Sequence, residues 1–225
     1  MEKKENNYGQ LCRQLQFSGF GRGLNDDLKT LLDSGADFEL PYVRQFGKDQ
    51  VQATLFFGHD ENGKYYFNRF SISVYSEGET TPQQQTYYIS RSFVQFTFLE
   101  GYNLLKGRSV FKAKVGAEGM EGPAWLRLNN EDVNQYGNRR FHIYNEPRYG
   151  YNLAGELAQF PIQGLSDEEN VTKLLRSLEK GNRCPVKLLL NGKELAYAIE
   201  ALPEVRSIEF YDNNDQKISI STVLS

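Results

Sequence analysis

The chain has 225 residues, 39% hydrophobic and 13% aromatic, with a net charge of −3. That is enough apolar material for one large domain or two small ones, and far too aromatic for a disordered chain. The slight acidic excess argues against a protein devoted mainly to nucleic acid, where a basic excess is the rule.

The opening residues, MEKKENNYGQ, lack the apolar core of a signal peptide, and no apolar run approaches membrane-spanning length. The expectation is therefore a cytoplasmic protein with no membrane partner. Residues 7–17 read as a short helix with Leu11 and Leu15 on one face. Three glycines on alternate positions follow in Ser18-Gly-Phe-Gly-Arg-Gly23. Backbone amides of such a stretch can approach an anion, but no strand precedes it and it lacks both the dinucleotide spacing and the P-loop lysine. It reads as an interhelical turn. Leu24, Leu28, Leu31 and Leu32 mark a second short helix, with Asn25 or Asp26 near its start and Gly35 beyond its end.

From Phe38 the period changes to two. Phe38, Leu40 and Tyr42 alternate, then Val51, Ala53, Leu55 and Phe57, and Asn62-Gly63 before Tyr65–Tyr75 predicts a hairpin. Ser76 to Gln85 reads as a polar loop and Tyr87 to Phe96 as strand. Thr97 and Glu100 have capping-box spacing for a short helix ending near Gly107. Strands are expected at Ser109–Val115, Ala124–Leu128 and Arg139–Tyr144, with a polar turn over Asn129–Asn138. Gly101-Tyr-Asn-Leu104 recurs as Gly150-Tyr-Asn-Leu153, but the neighbours differ, so the echo reads as chance rather than a repeat.

The clearest helical signal lies between Tyr149 and Asn182. A shorter helix holds Leu153, Leu157 and Phe160, capped by Asn152 and ended by Pro161. In the longer one, Ser166 and Glu169 have capping-box spacing, while Val171, Leu174, Leu175 and Leu178 form one apolar face. Beyond Gly181, Asn191-Gly192 predicts a hairpin between Pro185–Leu190 and Lys193–Ala201. A further strand pair is expected at Val205–Tyr211 and Lys217–Val223. The fold class is thus α+β, with largely antiparallel sheets built from hairpins, short N-terminal helices and a central amphipathic helix pair. Residues 1–148 form a mostly β portion and 149–225 a helix pair followed by about four strands, as two domains or one.

Catalytic signatures are missing: no GxSxG, HExxH, Walker lysine or kinase set is present. His59 falls in a predicted turn and His142 within a strand. Asp167, Glu168 and Glu169 are explained by helix capping, and the Asp212–Asp215 cluster by a hairpin turn. Cys12 and Cys184 lack any CxxC companion and read as inert thiols. No metal or cofactor is expected. Between residues 101 and 148 cations interleave with aromatics, the combination that grips single-stranded nucleic acid. Trp125, Arg139, Arg140 and Tyr144 are the candidate binding residues there. A solvated strand face over an aromatic core explains the same stretch.

Phe17-Ser-Gly-Phe-Gly-Arg-Gly-Leu24, Tyr65-Tyr-Phe-Asn-Arg-Phe70, Tyr102-Asn-Leu-Leu-Lys-Gly-Arg108 and Leu175-Arg-Ser-Leu-Glu-Lys-Gly-Asn182 are similar to segments of an uncharacterised Bacteroidetes protein family. Tyr149-Gly-Tyr-Asn-Leu153 with Phe160-Pro-Ile162 resembles it too. Genes of that family often lie near mobile elements. The resemblance implies a bacterial accessory to element maintenance, and carries over no functional residue. The expectation is a non-enzymatic binding or interaction protein with a protein partner. A single-stranded nucleic-acid accessory protein is the second reading, and an enzyme of unfamiliar type the third.

Overall fold

The computed structural model describes residues 2–89, 94–117, 120–219 and 221. These form five α-helices, a short 3-10 helix and eleven strands in three antiparallel sheets, a sheet-dominated α+β architecture. Two compact units divide the chain: residues 1–105 with 130–140, and 106–129 with 141–225. The division does not fall at 148/149, because residues 106–129 associate with the C-terminal residues.

The first unit is built on a four-stranded up-and-down sheet. Its strands are β1 (Phe38–Phe46), β2 (Asp49–His59), β3 (Tyr65–Tyr75) and β4 (Gln83–Tyr88), paired in that order. Alternation places Val51, Ala53, Leu55 and Phe57 of β2 on the same buried face as Phe70, Ile72 and Val74 of β3. Helices α1 (Glu2–Phe17), α2 (Asn25–Leu32) and α3 (Phe98–Leu105) cover that face. Phe20, from the glycine-bearing turn between α1 and α2, meets Tyr42, Phe67 and Phe70 edge-on. Phe98 at the start of α3 lies 5.3 Å from Phe20 and 5.1 Å from Tyr42, ring centre to ring centre.

The capping box that opens α3 forms as its spacing predicts. Glu100 Oε2 accepts from the Thr97 amide at 2.7 Å, and Thr97 Oγ1 accepts from the Glu100 amide at 3.3 Å. Gly101 then lets the helix lie close to the sheet. A Cβ there would come within 2.7 Å of Ile72 Cδ1 and 2.8 Å of the Tyr87 ring. Its namesake in the echoed motif, Gly150, instead takes a left-handed φ of 77° outside any helix, so the two copies share no structural role.

β4 begins and ends earlier than the expected Tyr87–Phe96 strand; part of that stretch, 90–93, lies outside the described residues. Its free edge is met by residues of the 130–140 segment. Gln85 Nε2 donates to the Arg139 carbonyl at 3.1 Å, while Gln85 Oε1 accepts from the Arg139 amide at 2.9 Å. The Thr86 amide donates to Asn138 Oδ1 at 2.7 Å. Those bonds occupy a strand edge that would otherwise be open to pairing.

The second unit holds β5 (Val110–Ala117), most of β6 (Met120–Val133) and most of β7 (Arg139–Asn145). It continues with α4 (Leu153–Leu157), α5 (Glu168–Glu179), β8 (Cys184–Leu190), β9 (Lys193–Leu202), β10 (Ser207–Tyr211) and β11 (Lys217–Ile218). β6 is longer than expected, running through much of the anticipated polar turn. The last sheet has the order β11-β10-β9-β8. Its hairpin at Asn191-Gly192 has both residues at positive φ, 50° and 74°, as a tight primed turn requires. Leu188, Ile199 and Phe210 share a buried core with Leu157 of α4, Leu178 of α5 and Phe160 of the connection between them. Asn152 caps α4 as expected, its Oδ1 accepting from the Gly155 amide at 3.1 Å. For α5 the expected cap is corrected: Asp167, not Ser166, is the N-cap, and its Oδ1 accepts from the Glu169 amide at 2.9 Å. The aspartate is one residue nearer the helix and carries the charge that the helix start favours.

Candidate functional site

The helix-free face of the first sheet is the most distinctive surface of that unit. The residues alternating with the buried set point outward, and the register assembles them into rows across the strands. One row runs Glu39, Phe56, Arg69, Tyr88, the next Pro41, Thr54, Ser71, Thr86, and the next Val43, Gln52, Ser73, Gln84. Gln45, Gln50 and Tyr75 close the face at its far end. A bulge between Phe56 and Phe57 shifts the β3 register, so that Tyr66, opposite Gly58, also faces outward.

Three tyrosines stand out on this face: Tyr66 is 41% exposed, Tyr75 40% and Tyr88 50%. The Arg69 guanidinium lies over the Phe56 ring at 4.3 Å, and Lys64 lies 5.2 Å from the centre of the Tyr66 ring. The Tyr66 hydroxyl donates to Asp60 Oδ2 at 3.1 Å. Between the aromatic ends β2, β3 and β4 present hydroxyls and amides, while β1 contributes Pro41 and the exposed Val43. The rows of the face hold one cation, Arg69, and one carboxylate, Glu39, so the surface is close to neutral.

A second polar feature of this unit is the pair His59 and Asp37. Asp37 Oδ1 takes hydrogen bonds from the His59 ring Nδ1 at 2.8 Å and from the His59 amide at 3.1 Å. The ring bond first, then the amide bond, holds the Asp37 carboxyl below its ordinary value. Both side chains are accessible, and the pair ties the chain before β1 to the end of β2.

In the second unit the conspicuous polar feature is buried. Glu200 on β9 is 8% exposed; its Oε1 accepts from Arg183 Nε at 2.6 Å and pairs by charge with Arg108, whose Nε lies 3.0 Å away. The Tyr211 hydroxyl lies 3.1 Å from Glu200 Oε2 and 2.7 Å from Glu209 Oε2, one proton shared between two acceptors. Burial first, then the bond to Glu209, pushes the Tyr211 phenol well above its ordinary value. Arg183 stacks 3.5 Å above the Tyr211 ring and reaches Asp215 Oδ1 at 3.0 Å, while Lys217 pairs with Glu209. Carboxylates and cations balance, so the cluster holds itself together. Sequence reasoning missed it because Arg108, Arg183 and Glu200 are far apart along the chain.

The four residues singled out from sequence do not form one surface. Trp125 is 3% exposed, with its ring 5.4 Å from both Phe111 and Tyr151 inside the second unit's core, so it has no face free for a base. Tyr144 is half-buried and packs 4.9 Å from Tyr149; burial lifts its phenol. Arg139 and Arg140 belong to the first unit. Arg139 gives its backbone to Gln85 and its guanidinium to the Gln84 carbonyl at 3.3 Å, and the exposed Arg140 lies 3.7 Å from Asp132. His142 is exposed on β7.

Among the described residues no group of three histidine, cysteine, aspartate or glutamate side chains could hold a metal ion, and no helix is long and apolar enough to cross a membrane. Cys12 and Cys184 are free thiols. Cys184 donates to Ser177 Oγ at 3.1 Å, and burial pushes its thiol up, so it is a poor nucleophile. Comparison with protein families, with curated proteins and with solved structures returned no match.

Proposed function

We propose that the protein acts by binding rather than by catalysis, through the open face of the first sheet. The observation that carries this reading is the exposure of Tyr66, Tyr75 and Tyr88 on a hydrogen-bonded sheet whose other face packs on helices. Large rings held in water on a fixed backbone lose little entropy when a ligand covers them. The two polar clusters described above are engaged within the protein: the Glu200 cluster is internally paired, and Asp37 is bonded to His59.

The single-stranded nucleic-acid reading keeps one favourable observation, aromatic rings on an open antiparallel sheet. The charge of the face opposes it, since Arg69 is matched by Glu39 and phosphate neutralisation requires several cations. Titrating isotopically labelled protein with size-fractionated bacterial extract tests the binding reading by nuclear magnetic resonance. Shifts clustered on the amides of Thr54, Ser71, Tyr75 and Tyr88 support it. Shifts confined to other surfaces, or none with any fraction, overturn it.

A further inference from the structure

Resting on that reading of the open face, we infer that its ligand is an extended, uncharged glycan. Three properties of the surface point to this class. The first is charge: the rows across the sheet carry a single arginine and a single glutamate. Polyanions need an array of cations, and acidic or basic peptides need the opposite charge.

The second is the order of polar and apolar groups. A protein interface places its apolar anchors in a desolvated centre and its polar groups at the rim. On β2, β3 and β4 the order is reversed. Ser71 and Ser73 lie on β3 between Arg69, which faces Tyr88, and Tyr75 at the far end; Thr54 and Gln52 flank them on β2. Hydroxyls and carboxamides each donate and accept, so such a floor can follow a ligand that also donates and accepts at every unit. Sugar hydroxyls do this.

The third is length. The row of Tyr88 and the position of Tyr75 are separated by six residues of β3, about 20 Å at the rise of an antiparallel strand. A chain lying along β3 would meet an exposed ring at each end and hydroxyls between. The C–H face of a pyranose ring is apolar and flat, and stacks on tyrosine as its equatorial hydroxyls turn to the floor and to water. Neither step requires the protein to reorganise, because the backbone hydrogen bonds of β2, β3 and β4 fix every side-chain origin.

Native affinity electrophoresis of the full chain in gels containing laminarin, xylan, galactomannan or dextran tests the inference, with alginate and oligothymidylate as charged comparators. The expected result is retardation by at least one neutral polysaccharide, weakened about tenfold by either Tyr75→Ala or Tyr88→Ala. Circular dichroism melts of both variants should match the parent, which separates loss of binding from loss of fold. Absence of retardation by all four neutral polysaccharides overturns the glycan assignment. So does retardation that both variants leave intact, or retardation by alginate or oligothymidylate alone. If the glycan assignment fails while the extract titration still shifts Ser71 and Tyr75, the binding face survives and its ligand is a protein or nucleic acid.

Discussion

The first and last sheets of this protein treat their second faces in opposite ways. Each packs one face on helices. The last sheet covers part of its other face with charge, holding Glu200 beside Arg108 and Arg183 and laying Arg183 on Tyr211, while Pro185, Lys187 and Leu189 of β8 stay exposed there. The first sheet leaves its other face to water, with tyrosines at the ends and hydroxyls between. A buried ion cluster draws its strength from partners within the fold, and has nothing left to offer a ligand. An open neutral face contributes little to stability and keeps its groups available.

That contrast breaks down if the first sheet depends on its open face. Phe98 is fully buried on the covered face, against Phe20, Tyr42 and Phe46. Phe98→Ala should destabilise the first unit by about 4 kcal/mol, read by urea unfolding, with hydrogen exchange placing the loss in β1–β3. A loss under about 1 kcal/mol would contradict the packing described. Glu200→Gln should cost the second unit about 3 kcal/mol, since it removes the buried carboxylate that Arg183 and Arg108 share. If that variant melts like the parent, the cluster is solvent-screened and the contrast disappears.

Tyr75→Ala and Tyr88→Ala should each change stability by no more than about 0.5 kcal/mol, as exposed substitutions do. A larger destabilisation would show the face to be structural. The smallest effect concerns Asp37. Its folded pKa lies below the ordinary 3.8 because His59 bonds to the carboxylate. Its contribution is therefore fully present above the ordinary value and fades as pH falls through the lower, folded one. Melting temperature followed downward in pH should fall slightly less steeply for Asp37→Asn than for the parent.

Much of this architecture was legible beforehand, and the reasons are local. Asn191-Gly192 fixes a hairpin through positive φ at both positions, Gly63 supplies the one positive φ in the longer turn closed between Asp60 and Lys64, and Thr97 with Glu100 fixes a helix start. Ser166 misled because Asp167, beside it, caps the same helix with a charge. β4 was displaced because Gln83, Gln84 and Gln85 read as loop, whereas Gln85 is buried by bonding the backbone of Arg139. The open face was latent in the alternation of β2, since naming Val51, Ala53 and Leu55 as inward makes Gln50, Gln52 and Thr54 outward. The stretch from 101 to 148 could not be sorted by composition. Both units take cations and rings from it, Arg139, Arg140 and Tyr136 in the first and Arg127, Trp125 and Tyr144 in the second, and only three-dimensional packing puts Trp125 inside.

The burial of Trp125 has a practical consequence. It is the chain's one tryptophan, so light absorbed at the red edge of the aromatic band excites the second unit alone. Its emission reports when that core takes up water, while ellipticity reports backbone throughout the chain. Agreement of the two transitions on heating would mean a single cooperative melt, and a gap between them would time the release of each unit separately.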